Sequence, residues 1–125
     1  MDILCDVDGG ISLKIRVRED ATPTTEALLS ALPFEGCASR WGDEVYFGAP
    51  FHTLLEEDAR ADMDVGEVAY WPDGDALALF FGKTPASIDD RPRAYSKCNV
   101  VGRMVSDPTI LGAVRPGTRI RLSRL

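Results

Sequence analysis

The sequence predicts a mainly β fold, a closed eight-stranded barrel with two short helices. Two observations indicate this fold. Apolar and polar residues alternate in eight short segments, whereas only two segments have helical spacing. Closing the sheet into a barrel would leave no free strand edge. At 125 residues the chain has the length of one domain, so residues 1–125 are expected to fold as a single unit.

The first two predicted strands form a hairpin. Ile3, Cys5 and Val7 share one face, and the alternation continues over residues 11–17 after the turn at residues 8–10. The first helix is expected within residues 20–33, because Thr22 can cap it and Pro23 suits its first turn. The second helix is expected at residues 108–114. The remaining strands are predicted at residues 34–40, 44–48, 65–71, 76–81, 99–105 and 118–122.

Two connections are predicted to be loops. Residues 52–66 are acidic and weakly patterned, and residues 83–97 contain two prolines. Loops as long as the second one are often functional in a compact domain.

An aromatic hairpin is the most informative segment. Residues 65–82 read VGEVAYWPDGDALALFFG and bring Tyr70, Trp71, Phe80 and Phe81 together. Alternation places Phe80 and Phe81 on opposite faces of their strand. One ring therefore belongs to the core, and the other either is covered by a neighbouring segment or floors a groove.

Composition narrows the classes of function. The net charge of -6 opposes binding to nucleic acid and to membrane surfaces, since both are anionic. Thirteen Asp and seven Glu stand against three Lys and eleven Arg, a balance expected of a halophilic source. The sequence has no long apolar run and no secretion signal at its start, so a cytoplasmic protein is expected.

No metal or cofactor is expected. The three cysteines, Cys5, Cys37 and Cys98, form no C-x-x-C pair, and the acidic run at residues 56–64 lacks the spacing of a calcium loop. Nothing in the sequence places Cys37 beside His52, the one histidine, as a nucleophile and base.

Four polar residues are candidate partners for a ligand. Arg40, Arg91 and Arg93 each carry a planar fork of donors that suits a carbonyl or carboxylate group. Asn99 begins a strand beside the long loop. The alternatives are a surface ion pair for an arginine and a bridge between backbone groups for Asn99.

Several blocks in order carry a family resemblance: DATPTTEALLSAL, WGDEVYF, GEVAYWPDGDAL, FFGKTP and NVVGR. Together they resemble the cyclophilin-like family of short prokaryotic proteins over nearly the whole chain. The resemblance implies an eight-stranded barrel with two helices and a ligand groove on its outer face. In cyclophilins an arginine, matched here by Arg40, is followed by a glutamine, and this chain has no Gln.

The predicted function is binding of an extended peptide or a small molecule in an apolar, aromatic-lined groove. The expected ligand-binding residues are Tyr46, Tyr70, Trp71, Phe80, Phe81, Arg91 and Asn99. One alternative is peptidyl-prolyl isomerisation, with Arg40 as the catalytic residue beside the Phe80 and Phe81 rings. Another is that the aromatic face is an oligomer interface without a ligand.

Overall fold

The computed structural model describes all 125 residues, and antiparallel β-structure dominates it. One α-helix, α1 (Pro23–Ala31), and two 3₁₀ helices (Pro72–Gly74 and Pro108–Ala113) accompany ten strands. The strands are β1 (Asp2–Val7), β2 (Ile11–Val17), β3 (Phe34–Cys37), β4 (Ser39–Arg40), β5 (Glu44–Gly48), β6 (Arg60–Asp62), β7 (Glu67–Trp71), β8 (Ala76–Phe80), β9 (Arg93–Met104) and β10 (Arg119–Arg124).

The mainly β prediction is confirmed, but its closure and strand count are not. The hydrogen-bonded order runs β3-β10-β1-β2-β9-β7-β8-β5-β4, with β6 pairing to β9 beside this path. No ladder joins the outer strands β3 and β4, which Ala38 alone separates along the chain. The strand predicted at residues 34–40 is thus divided between the two edges of the sheet.

Other elements also differ from the sequence prediction. The short strand β6 lies inside residues 52–66, which the sequence predicts to be an acidic loop. β9 begins at Arg93, so the last part of the second predicted loop is strand. The second predicted helix is a 3₁₀ helix, which Asp107 caps by accepting a hydrogen bond from the Thr109 N–H (3.0 Å).

Two apolar clusters lie on the two faces of the sheet. The larger holds 21 buried residues, among them Tyr70 and Phe81. The smaller lies under the first half of β9 and includes Phe80, which is fully buried. Phe80 and Phe81 therefore lie on opposite faces, as the alternation predicts.

Helix α1 packs against the sheet through Leu28, which is 1% exposed. Thr22 caps its first turn, because the Thr22 hydroxyl accepts from the Thr25 N–H at 3.1 Å. None of the helices has the length and apolar character that crossing a membrane requires.

Candidate functional site

A partly open cleft of about 120 Å³ lies on the outer face of the sheet, beside the smaller apolar cluster. Strands β5, β7 and β9 and the turn before β5 supply its walls. Six of its seven lining residues are hydrophobic, and the seventh is a glutamate. The lining consists of Trp41, Glu44, Tyr46, Trp71, Ala94, Tyr95 and Cys98.

The turn between β4 and β5 sets Trp41 beside Glu44. The Trp41 N–H donates to the Glu44 carbonyl at 3.0 Å, which closes the turn. Gly42 adopts a φ of 61°, and a Cβ there would lie 2.9 Å from the Lys83 carbonyl oxygen. Glycine is therefore the residue that fits this turn without displacing the neighbouring backbone.

The other walls are fixed by hydrogen bonds and ring contacts. The Trp71 indole N–H donates to the Ser96 hydroxyl at 2.7 Å, and that hydroxyl donates to Asp73 at 3.3 Å. The Tyr95 ring makes T-shaped contacts with both indoles, with centroid separations of 6.1 Å to Trp41 and 6.1 Å to Trp71. Tyr95 is thus steeply inclined to each indole, and the three rings form a corner of the cleft.

Glu44 is the acidic group of the cleft. Its side chain shares the outer face of β5 with Tyr46, two residues further along, and the residue is 8% exposed. The Glu44 Oε1 atom is buried without a hydrogen-bond partner, and no cation of the chain forms an ion pair with the carboxyl group. Burial raises the pKa of Glu44 to about 7, because removal from water disfavours the charged form.

Cys98, the one thiol in the lining, is not activated. Burial, followed by the negative charges of Glu44 and Asp73, raises its pKa to about 12. A thiol that stays protonated is a weak nucleophile. The lining residues therefore suit non-covalent binding better than covalent catalysis.

The structure brings together only some of the predicted ligand-binding residues. Tyr46 and Trp71 line the cleft. Phe80 lies on the same face of the sheet but is wholly covered. Tyr70 and Phe81 belong to the larger cluster on the other face, and the Tyr70 hydroxyl donates to Asp75 at 2.7 Å.

The four polar candidates lie outside the cleft lining. The Arg40 guanidinium donates to the carbonyl oxygens of Gly42, Gly112 and Val114, and its centre lies 5.0 Å from the Phe81 ring centroid. Arg91 pairs with Asp64 at 3.2 Å on the exposed surface, and Arg93 pairs with Asp62 at 3.6 Å. Buried Asn99 bridges other groups, since it donates to Thr24 and to the Leu54 carbonyl and accepts from the Glu56 N–H.

Sequence reasoning missed five of the seven lining residues, namely Trp41, Glu44, Ala94, Tyr95 and Cys98. The alternation of β5 is a signal for Glu44, because it places that carboxyl group on the same face as Tyr46. Tyr95 has no such signal, because it falls within residues 83–97, which the sequence predicts to be a loop. The structure assembles no group of three or more His, Cys, Asp or Glu side chains in a metal-binding arrangement.

The chain belongs to the cyclophilin-like family, whose model matches residues 1–123. This confirms the resemblance seen in the sequence. Among solved structures, the chain is similar to a hypothetical protein from Archaeoglobus fulgidus whose solution structure superposes with a TM-score of 0.83. The two are 35% identical over 100% of this chain and 95% of that chain. A comparison with curated proteins gives no significant match.

Proposed function

We propose that the protein binds a small organic group non-covalently in the cleft between Trp41, Tyr46, Trp71 and Tyr95. The observation that carries the proposal is the set of aromatic walls held in place around an open space. Ligand sites are usually concave and mostly apolar, with a few polar groups at fixed positions. The hydrogen bond from Trp71 to Ser96 supports a preformed wall, which lowers the entropy lost on binding.

The size of the cleft limits what enters it. Pockets for drug-sized ligands have volumes of roughly 300–1,000 Å³, whereas this cleft has about 120 Å³. The bound group is therefore a small molecule, or one side chain of an extended peptide whose remainder lies on the surface.

Binding has more support than prolyl isomerisation. The arginine required by that reaction would have to present free donors to a substrate carbonyl. Three carbonyl oxygens of the chain already accept from Arg40, which stacks on Phe81 of the larger cluster rather than on a ring of the cleft.

Tryptophan signals test the proposal directly. The chain has two tryptophans, and both line the cleft, so every indole signal reports on it. A fragment and dipeptide library should yield compounds that shift both indole N–H resonances in a ¹H–¹⁵N spectrum. A Trp41→Phe variant assigns the two signals. Compounds that shift only resonances far from the cleft, or a library without any binder, would contradict the proposal.

A further inference from the structure

We infer that the group bound in the cleft is an alkylated ammonium cation, such as a trimethylammonium head group. This inference rests on the proposed function, because it names the ligand class of the same cleft. Three features carry it: the arrangement of the aromatic rings, the unpartnered carboxyl group, and the lack of any basic side chain in the lining.

The aromatic rings of the lining are not all parallel to one another. Tyr95 meets Trp41 at an interplanar angle of 68° and Trp71 at 71°, so neighbouring walls are steeply inclined. Tyr46 adds a fourth ring to the lining. Aromatic faces carry negative electrostatic potential, and several faces directed at one point attract a cation, most strongly where tryptophan contributes.

The only formal charge that the lining can carry is negative. Glu44 is its single acidic residue, and no Lys, Arg or His side chain contributes to it. A buried carboxylate without a partner is costly, and a cation within a few ångströms would compensate it. An anionic ligand would instead face both Glu44 and the faces of the rings.

The donor count favours an alkylated cation over lysine or arginine. A primary ammonium group carries three N–H donors and a guanidinium group five, and each needs an acceptor once it is removed from water. Apart from the carboxyl group of Glu44, the side chains of the lining offer only two phenol oxygens and one weakly accepting thiol sulfur, and the rest is aromatic or aliphatic carbon. A trimethylammonium group carries no N–H donor, so it leaves none unsatisfied.

The arrangement makes binding depend on pH. The other titratable groups in the lining are the Tyr46 phenol on β5 and, on β9, the Tyr95 phenol and the Cys98 thiol. Trp41 and Trp71, which line the site from the other elements, carry no ionisable group. Asp73, in the 3₁₀ helix that follows Trp71, lies outside the lining and accepts a hydrogen bond from the Ser96 hydroxyl. Phenols and thiols are weaker acids than a carboxyl group, so Glu44 sets the dependence. Cation affinity should rise as the pH increases through about 7, the raised pKa of Glu44.

The experiment is a tryptophan-fluorescence and calorimetric titration of the full chain at low, constant ionic strength. The probes are tetramethylammonium, choline and the neutral carbon analogue of choline, in which a tert-butyl group replaces the trimethylammonium group. Choline should bind at least about tenfold more tightly than its neutral analogue above neutral pH. A trimethyllysine peptide, compared with the same unmodified peptide, distinguishes a peptide source from a free small molecule.

Two matched variants distinguish a loss of the Glu44 charge from a loss of folded protein. Glu44→Gln keeps the shape of the side chain and should weaken choline binding by about tenfold or more while abolishing its pH dependence. Glu57→Gln removes one charge from an exposed position outside the cleft, and binding should be unchanged. Unfolding curves of both variants check that each remains folded.

The outcomes distinguish the inference from the proposed function. Equal binding of choline and its neutral analogue, or unchanged choline binding in Glu44→Gln, would overturn the inference and leave the cleft as a site for neutral groups. The inference would also be overturned if library compounds shift the indole signals while none of the cationic probes binds. If no compound of either kind reaches the cleft, both the inference and the proposed function fail.

Discussion

Glu44 and Glu67 lie on the same outer face of the sheet and are each 8% exposed, yet their surroundings differ. Glu67 accepts two hydrogen bonds from Arg60, at 2.8 and 2.6 Å, and one from the Asp64 N–H at 2.6 Å. Burial raises its pKa, but these hydrogen bonds outweigh burial and hold the pKa below the usual range. Glu44 has no such partners, and its pKa rises to about 7.

The difference separates a structural carboxylate from a candidate ligand group. Glu67 closes the turn before β7 and ties β6 to it, so its charge is neutralised within the chain. The burial of Glu44 has no compensating contact in the protein itself. Groups whose pKa is strongly raised by burial in a cleft are candidates for function, because stability alone does not account for them.

The largest expected effect on stability comes from removing the charge of Glu44. Glu44→Gln should raise the free energy of unfolding by about 3 kcal/mol near pH ~8 and by well under ~1 kcal/mol near pH ~4. The folded pKa of Glu44, about 7, lies above that of an unfolded glutamate. The wild-type penalty is therefore absent in acid and develops as the pH rises through this interval. Urea unfolding across the range measures it, and a gain that is independent of pH would contradict the assignment.

The second prediction concerns Arg60, because its removal would leave Glu67 without an ion-pair partner, as Glu44 is. Arg60→Met should lower the free energy of unfolding by about 2 kcal/mol at neutral pH, a value reduced because Arg60 is partly exposed. The loss should shrink as the pH falls toward about 4, since Glu67 then takes up a proton in the folded variant. Urea unfolding at both pH values tests this.

A control for that variant is Arg91→Met. Arg91 pairs with Asp64 on the exposed surface, so its loss should change stability by less than about 0.5 kcal/mol. Equal losses in the two arginine variants would mean that burial of Glu67 does not set the value of its ion pair.

The smallest expected effect on stability comes from Tyr95. Tyr95 is 76% exposed, so Tyr95→Ala should change the free energy of unfolding by less than about 0.5 kcal/mol. Choline binding should nevertheless weaken several-fold, because a wall of the cleft is lost. Ile88→Ala, at an 80% exposed position outside the cleft, is the matched control. Unchanged affinity in Tyr95→Ala would remove that ring from the site.

Much of the fold was predictable because local alternation encodes it. β1 and β2 follow the pattern of Ile3, Cys5 and Val7 and its continuation after the turn. β6 was missed since Arg60 and Asp62 are charged and no apolar alternation marks them. That strand is held by its pairing with β9 and by the contact of Asp62 with Arg93 at 3.6 Å, which are distant in the sequence.

The site was predictable only in part, because local alternation predicts strands but not which distant strands lie side by side. Alternation identified Trp71 and Tyr46 as aromatic residues of strands. Which rings share a cleft depends on where β9 crosses the outer face, and no local pattern records that path. The crossing covers Phe80 and brings Tyr95 to the two indoles.

The division of one segment between β3 and β4 has a consequence for aggregation. The two outer strands of the sheet are separated only by Ala38, which is 3% exposed and whose N–H and carbonyl bond to Thr118 and Gly117 at 2.7 Å each. Unpaired strand edges are templates for association with other chains. Because one buried residue joins both outer strands, local unfolding at Ala38 would free both strands from the sheet together. Hydrogen exchange of the Ala38 amide therefore measures how often this junction between the two outer strands opens.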